Sequence, residues 1–526
     1  MKKILYPFIY VALCWITVSC DSKLDIPQKG VVDESSFYQT DEECEEAAIA
    51  LYGAMNDNAT YQFMTKAMLD DDTWAGGGGR GDNVNNELIN EYRYTTDNQW
   101  IEGLFKNGYQ MIYRANLILT NVSPDSPSKK RNIAEAHFFR AWAYFDLVTL
   151  FGPVPKVTEI VKDGNYSKSN GDVGELWALI EEDLKNAIDM KALPEKNNLD
   201  DNMTGIRVTH QLAQALLGKT YIFQGKYQEA VDIFEEVIRS GKYGLFQGEY
   251  GDIFAAPYNF NREIMLAINK VNDPTKYSFD GLCAMCGWRE DKFEGFYAAY
   301  QSKILDVYPL GWGQSVPTKS LYDAFVEMEG EDGYRLNQTL ISYKQLTEKG
   351  VTIKEGQYVY GCEGYLTWKR RNTPSSYVAG TYAGFYNNFV FMRYAEVLLL
   401  ASEANLQVGN VTVATDYLND IRRRAKLPDL DHTITMDDVK KEKRLELCNE
   451  LIRYQDLTRW GDAYETLKDK GSKIPALYGL KEDGSYDIRY LWTNTEYGYK
   501  KNKHELLPIP QYEMNVNEMI YQNPGW

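Results

Sequence analysis

The sequence predicts a mostly α-helical protein: a tetratricopeptide-like helical-repeat scaffold carrying a large, irregular, loop-rich insertion with short strands. Three observations carry this reading. Apolar residues recur at three- and four-residue steps over about 100–240 and again over about 390–460. One segment matches a known helix-pair repeat. Between the two helical regions the periodicity stops, and about 243–389 is rich in Gly, Tyr and Trp, with short β-like runs such as Tyr358-Val359-Tyr360.

In chain order, Thr40-Asp41-Glu42-Glu43 has capping-box spacing and opens an Ala-rich helix expected to run through Met55. Trp100, Leu104, Met111, Ile112, Ala115 and Ile118 mark a longer amphipathic helix. Ala134, Phe138, Ala141, Phe145 and Val148 mark the next, which Gly152-Pro153 ends. Leu176, Leu179, Ile180, Leu184, Ala187 and Ile188 repeat the pattern between Glu175 and Met190, so these last two helices can face each other across their loop. Leu217-Gly218-Lys219-Thr220-Tyr221, followed by Ala230 and Phe234, satisfies the L-G-x2-Y and A-x3-F parts of a tetratricopeptide unit. Small residues let two antiparallel helices approach closely, so Gly218 and Ala230 belong where backbones touch. A second pair runs from Tyr394 to Val408, turns at Gly409-Asn410 and continues through Ala414 and Leu418. One last helix is expected from near Asp437 to Trp460, and then an extended, tied-down tail through Leu506-Leu507-Pro508-Ile509-Pro510 and Gln522-Asn523-Pro524-Gly525-Trp526.

Composition narrows the function. Among 526 residues, 57 basic side chains against 75 acidic ones give a net charge of −18, the wrong sign for a partner that binds through phosphates, so no nucleic acid is expected. Lys2 and Lys3 precede an apolar run from Ile4 to Ile16, too short to span a bilayer, which ends in Thr17-Val18-Ser19-Cys20. The pattern fits a lipoprotein signal over 1–19, with Cys20 as the lipid-attachment residue and 20–526 as one domain. Ordinary secretion is the alternative, since such signals most often have Leu where Thr17 stands. Nothing later approaches 18 uninterrupted apolar residues.

Catalytic and metal motifs are weak. Gly76, Gly78 and Gly81 satisfy G-x-G-x-x-G, but no buried strand precedes them and no apolar helix follows. Asp70, Asp71 and Asp72 are expected to form a solvated acidic loop, because Trp74 occupies the third ligand position of an EF-hand order. The four His are scattered, and no G-x-S-x-G is present. Cys283 and Cys286 have C-x-x-C spacing without a second pair or a nearby His, which leaves a local disulfide or free thiols ahead of redox or zinc chemistry. No catalytic residue, metal or cofactor is assigned. Forty Tyr and eleven Trp point instead to ring faces. A sugar presents apolar C–H faces and a rim of hydroxyls, so it needs exposed aromatics beside planar polar partners. Two segments outside the repeat pattern supply both: Asp72, Trp74 and Arg80 in the early loop, and Trp288, Tyr297 and Tyr300 in the insertion. They are expected to meet on one shallow surface. Trp312 ranks below them, because Gly311-Trp312-Gly313 reads as a turn with its ring packed inward. For each single ring, a packed position is the competing reading.

Taken together, the motifs resemble the SusD/RagB family of Bacteroidetes outer-membrane lipoproteins. The resemblance rests on Leu24-Asp25-Ile26-Pro27, Tyr113-Arg114-Ala115-Asn116, the stretch Glu135 to Phe145 with Phe151-Gly152-Pro153-Val154-Pro155, Arg393-Tyr394-Ala395-Glu396, Leu418 to Ala425, Glu442 to Leu447, Asp456 to Trp460, and the two tail motifs. Glu442-Lys443-Arg444 widens the family's usual E-R pair. The resemblance implies a lipid-anchored, surface-exposed outer-membrane protein. It would bind an oligosaccharide or polysaccharide and close as a lid over a SusC-like TonB-dependent transporter, without enzymatic activity. A member that binds peptides or another nutrient, and more remotely a secreted glycoside hydrolase, are the alternatives. The family holds its ligands on loops outside these motifs, so the six site residues rest on their clustering alone.

Overall fold

In the computed structural model, residues 37–161, 164, 167–276 and 280–526 are described. The signal, Cys20 and the Leu24–Pro27 motif lie outside them.

The first helix, α1 (Asp41–Leu69), opens on the expected cap: Thr40 Oγ1 accepts from the Glu43 N–H at 3.1 Å, and Glu43 Oε2 accepts from the Thr40 N–H at 2.9 Å. It runs well beyond Met55, because Phe63, Met64, Met68 and Leu69 keep an apolar face buried. A short strand β1 (Thr73–Gly76) and helix α2 (Val84–Asn90) follow, then α3 (Gln99–Asn121), α4 (Pro127–Phe151) and α5 (Val173–Asp189). α4 starts at the Ser126 cap and stops at Gly152, whose φ of 69° few other residues adopt readily. The motif residues here tie helices together. Arg140 grips Asp183 of α5 through two hydrogen bonds of 2.7 Å and Asn116 of α3 through a third, also 2.7 Å.

The repeat unit is α6 (His210–Phe223) and α7 (Tyr227–Arg239). A Cβ on Gly218 would stand 2.6 Å from a ring carbon of Phe234, so this crossing admits no side chain. The second pair, α13 (Tyr394–Gln407) and α14 (Val411–Arg424), follows the insertion, and Ser402 of α13 donates to the Ala414 carbonyl of α14 at 2.7 Å. α13 also packs against α7, so the repeat array continues across the long sequence gap.

The insertion is closed at its base by β2 (Ile264–Ile268), antiparallel to β9 (Phe389–Arg393), with Ile264 opposite Arg393 and Ile268 opposite Phe389. Between these strands lie α8 (Gly281–Cys286), β3 (Phe293–Glu294), α9 (Phe296–Gln301), β4 (Gln314–Pro317), α10 (Lys319–Glu329), α11 (Tyr334–Thr339), β5 (Leu340–Ser342), α12 (Tyr343–Glu348), β6 (Thr352–Ile353), β7 (Val359–Tyr360) and β8 (Tyr365–Thr367). Its strands form small sheets over a second apolar core centred on Trp288, Phe296, Leu346 and Leu477. The early loop joins this region directly, since β1 pairs antiparallel with β4 and sets Trp74 opposite Val316.

Helices α13 (Tyr394–Gln407) and α14 (Val411–Arg424) lead into the expected final helix, which is in fact two: α15 (Met436–Leu447) and α16 (Arg453–Trp460). The chain breaks at Asn449 and Leu451, both at positive φ. The break turns the carbonyls of Glu446 and Cys448 toward Lys369 Nζ, at 3.0 Å each, and the Glu450 carboxylate toward Lys369 and Arg393. Around it lies a seam of buried charge. Arg393 bonds Glu263, Glu446 and Glu450; Arg335 bonds Glu329, Glu442 and Glu446; Arg424 bonds Glu263 and Glu446. Burial alone would raise the Glu446 carboxyl, but Arg424, Arg393 and Arg335 hold it down at about 2. Arg393 and Lys369 do the same for Glu450, also to about 2.

A short helix α17 (Ala463–Leu467) precedes a hairpin, β10 (Lys473–Leu480) and β11 (Tyr486–Thr493), which the periodicity reading passes over and which extends β7 into a three-stranded sheet. The tail carries α18 (Gln511–Val516) and is tied down: Asn523 donates to the Phe151 and Leu507 carbonyls at 2.8 and 2.7 Å, and the Trp526 indole to the Lys503 carbonyl at 3.0 Å.

Candidate functional site

The early loop and the insertion do meet, but through backbone pairing and core packing rather than as an open shelf. Asp70, Asp71 and Asp72 are buried, not solvated. Cations reaching in from the C-terminal helices pair with two of them: Arg444 sits 2.8 Å from Asp72 and 2.9 Å from Asp71, and Arg453 bonds Asp71 at 2.8 Å, while burial and the neighbouring Asp72 push the Asp70 carboxyl up to about 8. Against the upward push of burial, these guanidinium groups hold the Asp71 carboxyl at about 2. Asp72 therefore has no face for a ligand. Trp74 is half-buried, its indole N–H donating to Glu363 at 2.9 Å and its ring lying under Lys470 at 4.7 Å. Arg80 is held by Glu91, the Tyr360 hydroxyl and Glu87, so its donors fix the loop on which it stands.

Trp288 is 2% exposed. Its indole donates to the Thr367 carbonyl at 3.1 Å, and its ring packs on Phe296 and Trp368. It is a core residue, and the Gly287 backbone before it runs against Gly311: a Cβ on Gly311 would fall 1.9 Å from the Gly287 carbonyl carbon. The two indoles that follow these glycines part company: Trp288 enters the core of Phe296 and Trp368. Trp312 is 39% exposed, contrary to the inward turn expected for it.

The open rings gather one layer further out. Helix α9 starts at Gly295, in a left-handed conformation, and buries Phe296 and Ala299. Tyr297 and Tyr300, one turn apart on its other side, face outward, and Tyr297 is 55% exposed. Tyr300 meets Tyr308 edge-on at 5.7 Å, and Tyr308 stacks on Tyr377 at 4.3 Å with the planes 16° apart. Burial, the hydrogen bond to Tyr377 and the nearby Tyr300 and Tyr297 push the Tyr308 hydroxyl upward, so it stays a neutral donor and acceptor. These rings rest on a small apolar cluster of Cys283, Ala383 and Phe385, to which Leu310 adds. From that cluster Trp312 continues the chain, its N–H donating to the Ala284 carbonyl at 2.7 Å. Tyr382 rides on a turn closed by the Tyr377–Phe385 bridge, with Gly380 at φ 84°, and is 76% exposed. Arg371 and Asp306, paired at 2.9 Å beside Trp368, add a planar donor and an acceptor.

This is a face of aromatic rings with polar edges, an arrangement on which a flat, hydroxyl-rimmed ligand can stack. It holds Tyr297 and Tyr300 from the sequence reading and adds Tyr308, Trp312, Tyr377 and Tyr382. The density of Tyr in the insertion was the available signal; which rings stay outside depends on contacts between residues distant in sequence. Among the described residues no His, Cys, Asp and Glu side chains group to hold a metal. Cys283 and Cys286 are free thiols with pKa values pushed up by burial, Cys286 to about 12, so they make poor nucleophiles. No described helix is long and apolar enough to cross a membrane.

Comparison with known proteins agrees over both halves of the chain. A family model described as starch-binding and associating with outer membrane matches residues 30–222, and the SusD family model matches residues 287–526. A SusD-like protein P2 of Formosa agariphila is 24% identical over the full length of both chains. A laminarin-binding SusD-like protein of known structure shares 26% identity, with a TM-score of 0.75 over 92% of this chain and 99% of that one. A surface glycan-binding protein A of Bacteroides thetaiotaomicron, solved in complex with laminarihexaose, has the same fold, with a TM-score of 0.69 at 22% identity over 92% of this chain and 99% of that one. With the motifs, the helical scaffold and these matches in agreement, the chain belongs to the SusD/RagB family.

Proposed function

We propose that this protein is a cell-surface lipoprotein of the outer membrane. It captures an oligosaccharide on the face of Tyr297, Tyr300, Tyr308, Trp312, Tyr377 and Tyr382, and delivers it to a SusC-like TonB-dependent transporter, over which it closes. It is a binding protein and not an enzyme, and Cys20 carries the lipid. The observation that carries the reading is the half-buried run of ring contacts from Tyr300 through Tyr308 to Tyr377, with Tyr297, Trp312 and Tyr382 exposed in the same insertion. The laminarin-binding relative supports a glycan as the ligand class. Asp72, Trp74, Arg80 and Trp288 act behind this face, fixing the loops that present it.

The test is a glycan array with the purified chain, run beside peptide pools and a reducing-sugar assay on a polysaccharide panel. Binding to one glycan class, lost on combined Trp312→Ala and Tyr297→Ala substitution, is expected. Peptide-only binding, or release of reducing sugar, would overturn the reading. Co-purification with a TonB-dependent porin encoded beside the gene tests the delivery step.

A further inference from the structure

The molecule also carries a concave surface at the joint between the α5–α6 connection and the base of the insertion. It is an open cleft of ≈520 Å3, within the range of small-molecule sites. One wall is aromatic: Phe246 and Tyr258 meet edge-to-face at 5.2 Å, and Tyr258 is 43% exposed, so a ring face is open to a ligand. Across from them Arg262 donates to Asp200 at 2.7 Å and keeps its other N–H groups uncommitted. Asn202 and Asn272 line the rim with exposed amides.

The floor is rigid. Asn259 donates to the Tyr386 carbonyl at 2.6 Å and accepts from the Asn388 N–H at 2.7 Å, while Asn261 donates to the Ile253 and Tyr258 carbonyls. With these amides locked, ligand binding need not order the backbone that carries Tyr258. The charges also select. Arg262 is matched by Asp200, and Lys270, at the cleft's inner edge, is matched by Asp280. Among the described residues that line the cleft, no cation is left without a carboxylate partner to attract a sulfate or a carboxylate. A guanidinium beside a carboxylate offers a donor and an acceptor side by side, the complement of two neighbouring hydroxyls.

We infer that this cleft is a second carbohydrate site, taking a short neutral oligosaccharide segment with a sugar ring stacked on Tyr258 and a vicinal diol on Arg262 and Asp200. The inference rests on the glycan-binding reading above and extends it: a long glycan would be held at two points, and the second contact would become intramolecular.

The experiment is titration calorimetry on the full mature chain with laminarin and with a panel of short neutral gluco-, manno- and galacto-oligosaccharides. Wild type is compared with Tyr258→Ala, Arg262→Ala, and Trp312→Ala, each first checked for an unchanged melting temperature. Two sites per chain are expected for a short ligand, falling to one in Tyr258→Ala, with about a fivefold or greater loss of affinity for the long glycan. A glycan bound at one site, weakened by Trp312→Ala and untouched by Tyr258→Ala and Arg262→Ala, overturns the cleft and leaves the aromatic face standing. The reverse pattern upholds the cleft and overturns the face. Absence of binding to any member of the panel overturns both.

Discussion

The seam around Glu446 joins the insertion to the rest of the molecule, the face around Tyr308 is built within the insertion, and the two differ in what water can reach. In the seam, Arg335, Arg393 and Glu446 are fully buried, and each has opposite charges within ion-pair distance. On the face, rings of the same insertion are left half open, and their stacking partners are one another. Buried ion pairs are costly to desolvate and add little net stability over apolar packing, but removing one partner is severe. Open rings lose little when trimmed. Four residues of the motifs that carry the family resemblance, Arg393, Arg424, Glu442 and Glu446, lie in the first region, and the open rings lie in the second, so one specifies how the insertion is seated and the other what it presents.

The largest expected effect is therefore on the seam. Arg393→Ala would strand Glu263, Glu446 and Glu450 in the interior and should destabilise the protein by about 3–5 kcal/mol, measured by denaturant unfolding. An unchanged midpoint would mean that the seam does not hold the insertion. The same carboxylates set an acid limit. Glu446 and Glu450 are held at about 2, against an ordinary value of 4.5. Their contribution is thus complete above pH 4.5 and should be lost as the pH falls from there toward 2. Wild type should lose stability steeply in that window, and Arg393→Ala less so.

Two substitutions test the packing of the insertion and of the scaffold. Trp288→Ala empties a packed site and should cost about 3–5 kcal/mol of stability, so any loss of binding would follow from misfolding. Gly218→Leu should cost about 1–3 kcal/mol by driving a side chain into Phe234 and Ile233. A wild-type melting temperature for Gly218→Leu would sink the repeat assignment.

How much was legible in the sequence follows from the range of the interactions. The helices of both repeat pairs, the Thr40 cap and the Gly218 crossing are local patterns, and they stand where the periodicity put them. The break after Leu447 was not legible, because Cys448 to Ile452 reads as more helix until Lys369 and Arg393 are known to lie beside it, 79 and 57 residues away from Cys448 and Glu450. Asp70 to Asp72 looked solvated for the same reason, since Arg444 and Arg453 come from the far end of the chain. The β10–β11 hairpin had a signal in Asp483-Gly484 between aromatic and β-branched runs, which a search for helical period overlooks. Trp288 and Trp312 each follow a Gly, and what distinguishes them is that Trp288 finds the Thr367 carbonyl and the Phe296 and Trp368 rings, partners up to 80 residues away.

The smallest expected effect tests that distinction from the other side. Trp312→Ala removes a ring that is 39% exposed, so it should leave stability within about 0.5 kcal/mol of wild type. A ring stacked on a sugar loses its contact area when trimmed, and a solvent-open face yields only modest energy per ring, so the affinity loss should be about 1 kcal/mol. Tyr297→Ala should behave alike, because its neighbours Phe296 and Ala299, and not its own ring, seat α9. Tyr308→Ala is the internal control. It stacks on Tyr377 and meets Phe385, so it should lose both affinity and some stability. If Trp312→Ala destabilises the fold as Trp288→Ala does, the two indoles share one core and the aromatic face is packing. If it lowers affinity at constant stability, the outer rings are the binding surface and the inner ones its support.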